Sequence, residues 1–180
     1  KDRTHPIKKF NGKSIVWIDT SMMDKKDESR LKGGSFCNYA ENTIIKKLLE
    51  EFKKEGTLPK LDIGIITGYR GQKDLIRKSV NNSGYDKIAK IIDINTLDAF
   101  QGRENDVIIY STVRTKNSIG FQKEKERVNV AFSRAKNLLI ICGDIDFFYR
   151  FDDPDNKFIE IIDYIYEHEK ECLVIPGGEI

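Results

Sequence analysis

The sequence predicts an α/β fold, with a mainly parallel sheet covered by helices on both faces. Three observations carry that prediction. Short runs rich in β-branched residues alternate along the chain with segments of helical periodicity, the pattern of βα units. The runs are apolar throughout instead of alternating, as strands buried on both faces must be. The 180 residues also match the size of one domain with one core, too short for a two-domain machine.

In chain order, IVWI at 15–18 is the first strand. A helix follows from Asn38 to about Lys54, with Ala40, Ile44, Ile45, Leu48, Leu49 and Phe52 on one stripe. Asn38 with Glu41 three residues on resembles a capping box. IGII at 63–66 is a strand, and a helix runs from Gly71 through Ser79. KIID at 90–93 is a weaker strand, and VIIY at 107–110 a strong one. The span 125–136 reads as a helix because Val128, Ala131, Phe132 and Ala135 fall at i, i+3, i+4 and i+7. LLIIC at 138–142 is a strand, 156–168 a helix apolar on most sides, and CLVI at 172–175 a weaker strand stopped by Pro176-Gly177-Gly178. Residues 1–13 read as an N-terminal linker to a domain spanning 14–180. Residues 21–34 and 114–124 are polar and aperiodic, and read as mobile connections.

Lysine and arginine total 31 against 29 acidic residues, a net charge of +2, so bulk charge alone holds no polyanion and nucleic-acid binding must be local. The longest apolar run has five residues, against about twenty for a bilayer span. No membrane association is expected. Cys37, Cys142 and Cys172, with only His5 and His168 as nitrogen ligands, match no zinc spacing and read as reduced thiols of an intracellular protein. Without an initiator Met or a leader, the chain is expected to be a piece of a longer protein.

Gly12-Lys13-Ser14 contains the end of a phosphate loop, but the leading glycine is replaced by Ile7 and a strand follows where a helix should. It is discarded. Thr67 to Gln72 stand just past a strand and open a helix, where open parallel sheets place ligands and helix N-termini favour anions. Taken alone, such a turn merely bends the chain. Residues 95–106 (NTLDAFQGREND) crowd Thr96, Asp98, Gln101, Gly102, Arg103 and Glu104 into one connection, functional or simply solvated. Arg127 and Arg134 lie seven apart, about 10 Å along a helix. They suit a phosphate or, more ordinarily, neighbouring carboxylates.

Taken together, ITGYRGQ at 66–72, TLDAFQGRENDVIIYSTVR at 96–114 and GFQKEKERVNVAFSRAKNLLIICGD at 120–144 closely resemble motifs IV, V and VI of superfamily 1 helicases. The match is best to the up-frameshift, senataxin and replication helicase-nuclease group. SFCNYAEN at 35–42 also resembles that group's short motif ahead of the first long helix. The resemblance covers about residues 14–147 and implies the second, C-terminal RecA-like domain of an ATP-driven helicase: a three-layer P-loop NTPase fold lacking its own Walker A loop. It implies Arg134 as arginine finger, Arg127 in support, Gly102 approaching the phosphates, Glu104 at the ribose or phosphate edge, and Arg70 and Gln72 near the nucleotide. Thr67 and Thr96, with Tyr69 beside them, are implied to hold single-stranded DNA or RNA. Tyr39 departs from relatives that carry an arginine there. The implied cofactors, ATP and Mg²⁺, both need the first RecA-like domain, expected in the same polypeptide, so the isolated domain is expected to be inactive and monomeric.

Two other classes compete. Asp144-Ile145-Asp146 after one strand and Asp93 ending another could hold Mg²⁺ in a phosphodiesterase of the topoisomerase-primase type. A RecA-like interaction module without chemistry is the second.

Overall fold

The computed structural model describes residues 5–100, 103–123, 125–151 and 153–180. The chain runs β1 (Ile15–Asp19), β2 (Ser29–Arg30), β3 (Phe36–Cys37), α1 (Tyr39–Lys54), β4 (Asp62–Thr67), α2 (Arg70–Ser83), α3 (Tyr85–Ile88), β5 (Ile91–Thr96), β6 (Asn105–Ser111), α4 (Lys125–Phe132), β7 (Ala135–Gly143), α5 (Ile145–Arg150), α6 (Phe158–Glu167) and β8 (Cys172–Pro176). Six strands form one parallel sheet in the order β5-β4-β6-β7-β1-β8, while β2 and β3 make a separate antiparallel pair.

Each inner strand feeds two cores because successive side chains point to opposite faces. Val16 and Ile18 join Ile44, Leu48 and Phe52 of α1 and Ile76 of α2 on one face. Trp17 joins Val128 of α4, Phe148 of α5 and Phe158 of α6 on the other. The buried Trp17 indole N–H donates to the Gly143 carbonyl at 3.0 Å, stitching β1 to β7. This is the three-layer α/β architecture that the alternation of runs predicts.

Four local expectations are corrected. The helix expected over 125–136 stops at Phe132, because the Arg134 carbonyl accepts from Asn105 N–H of β6 and draws the chain into the sheet. The capping box is only half made. Asn38 caps α1 by accepting from Glu41 N–H at 3.0 Å, but the Glu41 carboxyl reaches the sheet instead of turning back. The span 1–13 is no free linker over its described part, since Ile7 and Phe10 are buried in the α1 core and Thr57 Oγ1 donates to the Pro6 carbonyl. The spans 21–34 and 114–124 contribute buried Glu28, Arg114, Thr115, Ile119 and Gln122. Glu28 and Arg114 pair at 3.0 Å with almost no exposure.

The Lys13 ammonium donates to the carbonyls of Glu169 and Lys170, so the GKS segment ties the chain before β1 to the turn before β8. All three cysteines are free and buried. No helix among the described residues is long and apolar enough to cross a membrane.

At Gly143 the β7 backbone passes so close to Thr112 that a Cβ would stand 2.4 Å from its Oγ1. Gly143→Ala is expected to cost about 1–3 kcal/mol by overpacking. Urea unfolding should show a lower midpoint at unchanged slope; an unchanged midpoint would mean that Thr112 turns aside freely.

Candidate functional site

The parallel register sorts the candidate residues onto two edges of the sheet. Thr67 pairs with Thr96 and Ser111, and Ser111 with Cys142, so these strand ends share the C-terminal edge. Asn105 pairs with Ala135 at the N-terminal edge, placing Glu104 beside Arg134. The six steps from Asn105 to Ser111 separate the edges by roughly 20 Å. The implied nucleotide residues are therefore split. Arg70 and Gln72 open α2 at the C-terminal edge, while Glu104 and Arg134 stand at the other.

Arg134 and Arg127 line one cleft of about 320 Å³ with Leu97, Asp98, Phe100 and Glu126. Arg127 pairs with Asp98 at 3.0 Å, the outcome expected of an exposed arginine beside a carboxylate. Arg134 differs. It is half-buried, and its Nε is buried without a hydrogen-bond partner among the described residues. Glu104 and Arg103 are exposed before β6, and Gly102 lies outside the described residues.

At the C-terminal edge two of the residues implied for nucleic acid are buried in the domain. Thr67 is fully buried, its Oγ1 accepting from Tyr69 N–H. Tyr69 is 3% exposed, packed edge-on against Phe36 with its hydroxyl against the Arg114 guanidinium, which itself lies 4.3 Å over the Phe36 ring. Thr96 is half-buried, and its carbonyl accepts from Ala99 and Phe100 N–H in the turn that follows. Gln72 is buried as well. Its Oε1 accepts from Asn38 N–H at 2.7 Å and its Nε2 donates to Ser111 Oγ and the Asn38 carbonyl, so both amide hydrogens are used within the fold. Only Arg70 stays exposed there.

Gln72 belongs to a buried network built around Glu41. The Glu41 carboxyl accepts from Ser111 Oγ at 2.5 Å, from Thr112 Oγ1 at 3.2 Å and from Val113 N–H at 2.9 Å. Burial pushes it up to about 7, against the pull of the Ser111, Val113 and Thr112 bonds, and Asp144 adds to the rise. Val113 has φ +68, and Arg114 N–H donates across it to the Thr112 carbonyl at 2.7 Å, a tight turn that a β-branched residue adopts only under constraint. Glu28 does similar work one residue on, accepting from Arg114 Nε, Thr115 N–H and Lys116 N–H. Glu41, Ser111 and Arg114 sit inside the motif segments, but Glu28 lies in a span read as a loop. Its one signal, an acidic side chain in polar sequence, is no signal at all.

The topoisomerase-primase arrangement is not formed. Asp144 is a buried N-cap accepting from Phe147 N–H and paired with Lys26 at 3.0 Å. Asp93 lies on β5, with β4 and β6 between it and β7, so three inter-strand steps of about 4.8 Å separate the two. Among the described residues no group of three His, Cys, Asp or Glu side chains is placed to hold a metal ion.

A six-stranded parallel sheet between helical layers, with an arginine cleft along α4 and a tied polar network at the C-terminal edge, defines a RecA-like α/β domain. The family model described as an AAA domain matches residues 2–146. The Regulator of nonsense transcripts 1 homolog of Neurospora crassa is 38% identical over 122 residues, 66% of this chain and 11% of that protein. The DNA polymerase alpha-associated DNA helicase A of Saccharomyces cerevisiae is 34% identical over 151 residues, 81% of this chain and 21% of that one. An ATP-dependent helicase of Methanocaldococcus jannaschii is 33% identical over 160 residues, 89% of this chain and 22% of the helicase. The chain belongs to the AAA domain family and is a superfamily 1 helicase domain of the up-frameshift kind. It spans between about a tenth and a fifth of the length of these relatives.

Proposed function

We propose that residues 14–180 form the second RecA-like motor domain of an ATP-dependent helicase, supplying the arginine finger and part of the single-strand track to a site completed by a first RecA-like domain. One observation carries this reading: Arg134 keeps a buried Nε with no acceptor among the described residues, in a cleft it shares with Arg127. Leaving a buried donor unpaired costs about 1–3 kcal/mol, and an anion brought across the cleft would satisfy it. A nucleotide phosphate fits that donor set. When bound, ATP supplies the γ-phosphate that water attacks.

The contribution of this chain is then electrostatic. Phosphoryl transfer gathers charge on the equatorial oxygens, and a fixed guanidinium from a second domain stabilises that charge without reorganising at the moment of reaction. Glu104, adjacent in register and exposed, stands where a ribose hydroxyl or phosphate edge would pass. No acidic group here is assigned to Mg²⁺; its ligands are placed in the first domain. Single-stranded DNA or RNA would run along the C-terminal edge, past Thr96 and Arg70.

The purified domain alone is expected to hydrolyse no ATP above background, and the complete polypeptide to hydrolyse it with single-strand stimulation. Turnover by the domain alone, near the rate of the complete polypeptide, would sink the half-motor reading in favour of a self-sufficient enzyme. Absence of ATP turnover in the complete polypeptide would favour the interaction module.

A further inference from the structure

We infer that Asp98 is a positioning residue, which through its ion pair with Arg127 holds the single-strand edge of the domain to the helix that leads into Arg134. The inference rests on the motor reading given above and concerns how its two edges communicate. Thr96 ends β5 at the C-terminal edge, and its carbonyl closes the turn over Ala99 and Phe100. Asp98 therefore sits on a tight turn two residues from the strand end. Its Oδ1 meets Arg127 Nη1 at 3.0 Å. Arg127 lies in the first turn of α4, a short rigid element whose far end delivers Arg134 to the same cleft. At that end the Arg134 carbonyl is fixed by Asn105 N–H, so a displacement of α4 moves the Arg134 backbone against the start of β6. A shift of the turn after Thr96 thus reaches Arg134 through one ion pair and one helix.

Static stability does not account for the pair. The side chains are 71% and 46% exposed, and such pairs contribute little to folding. At the mouth of the cleft, however, the pair stands where closure against a second domain would exclude water and strengthen it. The remaining carboxylate on the cleft wall, Glu126, is fixed to α4 itself and cannot link α4 to the turn. Arg127, implied by resemblance to support catalysis, is accordingly assigned to holding the turn.

The test uses the complete polypeptide with Asp98→Ala, Asp98→Asn, Arg127→Ala, and the exchange Asp98→Arg with Arg127→Asp. The readout is the ratio of single-strand-stimulated to unstimulated ATP turnover, alongside single-strand affinity and melting temperature. Each single substitution is expected to lower the ratio about tenfold, a coupling of about 1.4 kcal/mol. Affinity should change less than threefold and melting temperature little, and the exchange should recover most of the ratio. A ratio within twofold of wild type for both Asp98 variants overturns the inference, as does an exchange no better than the product of its parts. Arg134→Ala is run in parallel. If it abolishes turnover while Asp98→Ala changes nothing, the motor reading stands and this inference falls; if Arg134→Ala is also silent, both fall.

Discussion

Arg134→Ala is expected to cut ATP hydrolysis by the complete polypeptide by a factor on the order of 10³ to 10⁵, the range over which arginine fingers act, with folding and single-strand binding largely intact. The fold should not notice the loss. Arg134 lies two residues beyond the end of α4, is half-buried, and ties the sheet through its backbone carbonyl, which alanine keeps. Its Nε has no acceptor to lose among the described residues. A surface salt bridge of about 0–1 kcal/mol could not produce so large a drop. Arg134→Lys should rescue poorly, because a point ammonium cannot match the planar guanidinium fork. Single-turnover hydrolysis at saturating single strand compares the three proteins. A loss below about tenfold, roughly 1.4 kcal/mol, would overturn the arginine-finger assignment.

The strands were legible because burial on both faces writes them as unbroken apolar runs. The helix over 125–136 was over-read because Ala135 satisfies the i+7 position of a helix and the first position of a strand alike; only the bond from Asn105 to the Arg134 carbonyl decides between them. Phe10 shows the opposite failure. One aromatic among lysines carries no period, yet it fills the core under α1. At the site, the motif segments single out stretches of chain but not which way their side chains face. Thr67 and Tyr69 look like contacts in a linear reading and are buried, Thr67 accepting from the Tyr69 N–H and Tyr69 packing against Phe36 and Arg114. Glu41 was legible only as half of a cap, because the i+3 spacing is local while its true partners lie 70 to 72 residues away.

Glu41 also sets how stability should depend on pH. Its carboxyl stands at about 7 in the folded domain against an ordinary 4.5, so the folded state keeps a proton that the unfolded chain has already released. The resulting stabilisation is complete below about pH 4.5 and is lost as pH rises toward and through 7. That interval corresponds to on the order of 3 kcal/mol. Glu41→Gln, neutral at every pH, should flatten this slope while costing an acceptor, since an amide offers one oxygen where Ser111, Thr112 and Val113 present three donors. Glu41→Ala should be worse, roughly 3–5 kcal/mol, because it strands all three donors in a dry site and releases the Val113 turn, whose positive φ of +68 the carboxyl holds in place. Urea unfolding of the isolated domain from pH 5 to 8 separates these effects. Wild-type stability that is level across that range, or a Glu41→Gln protein with the wild-type slope, would show that the buried carboxyl stays ionised and that the bonds from Ser111, Thr112 and Val113 outweigh its burial.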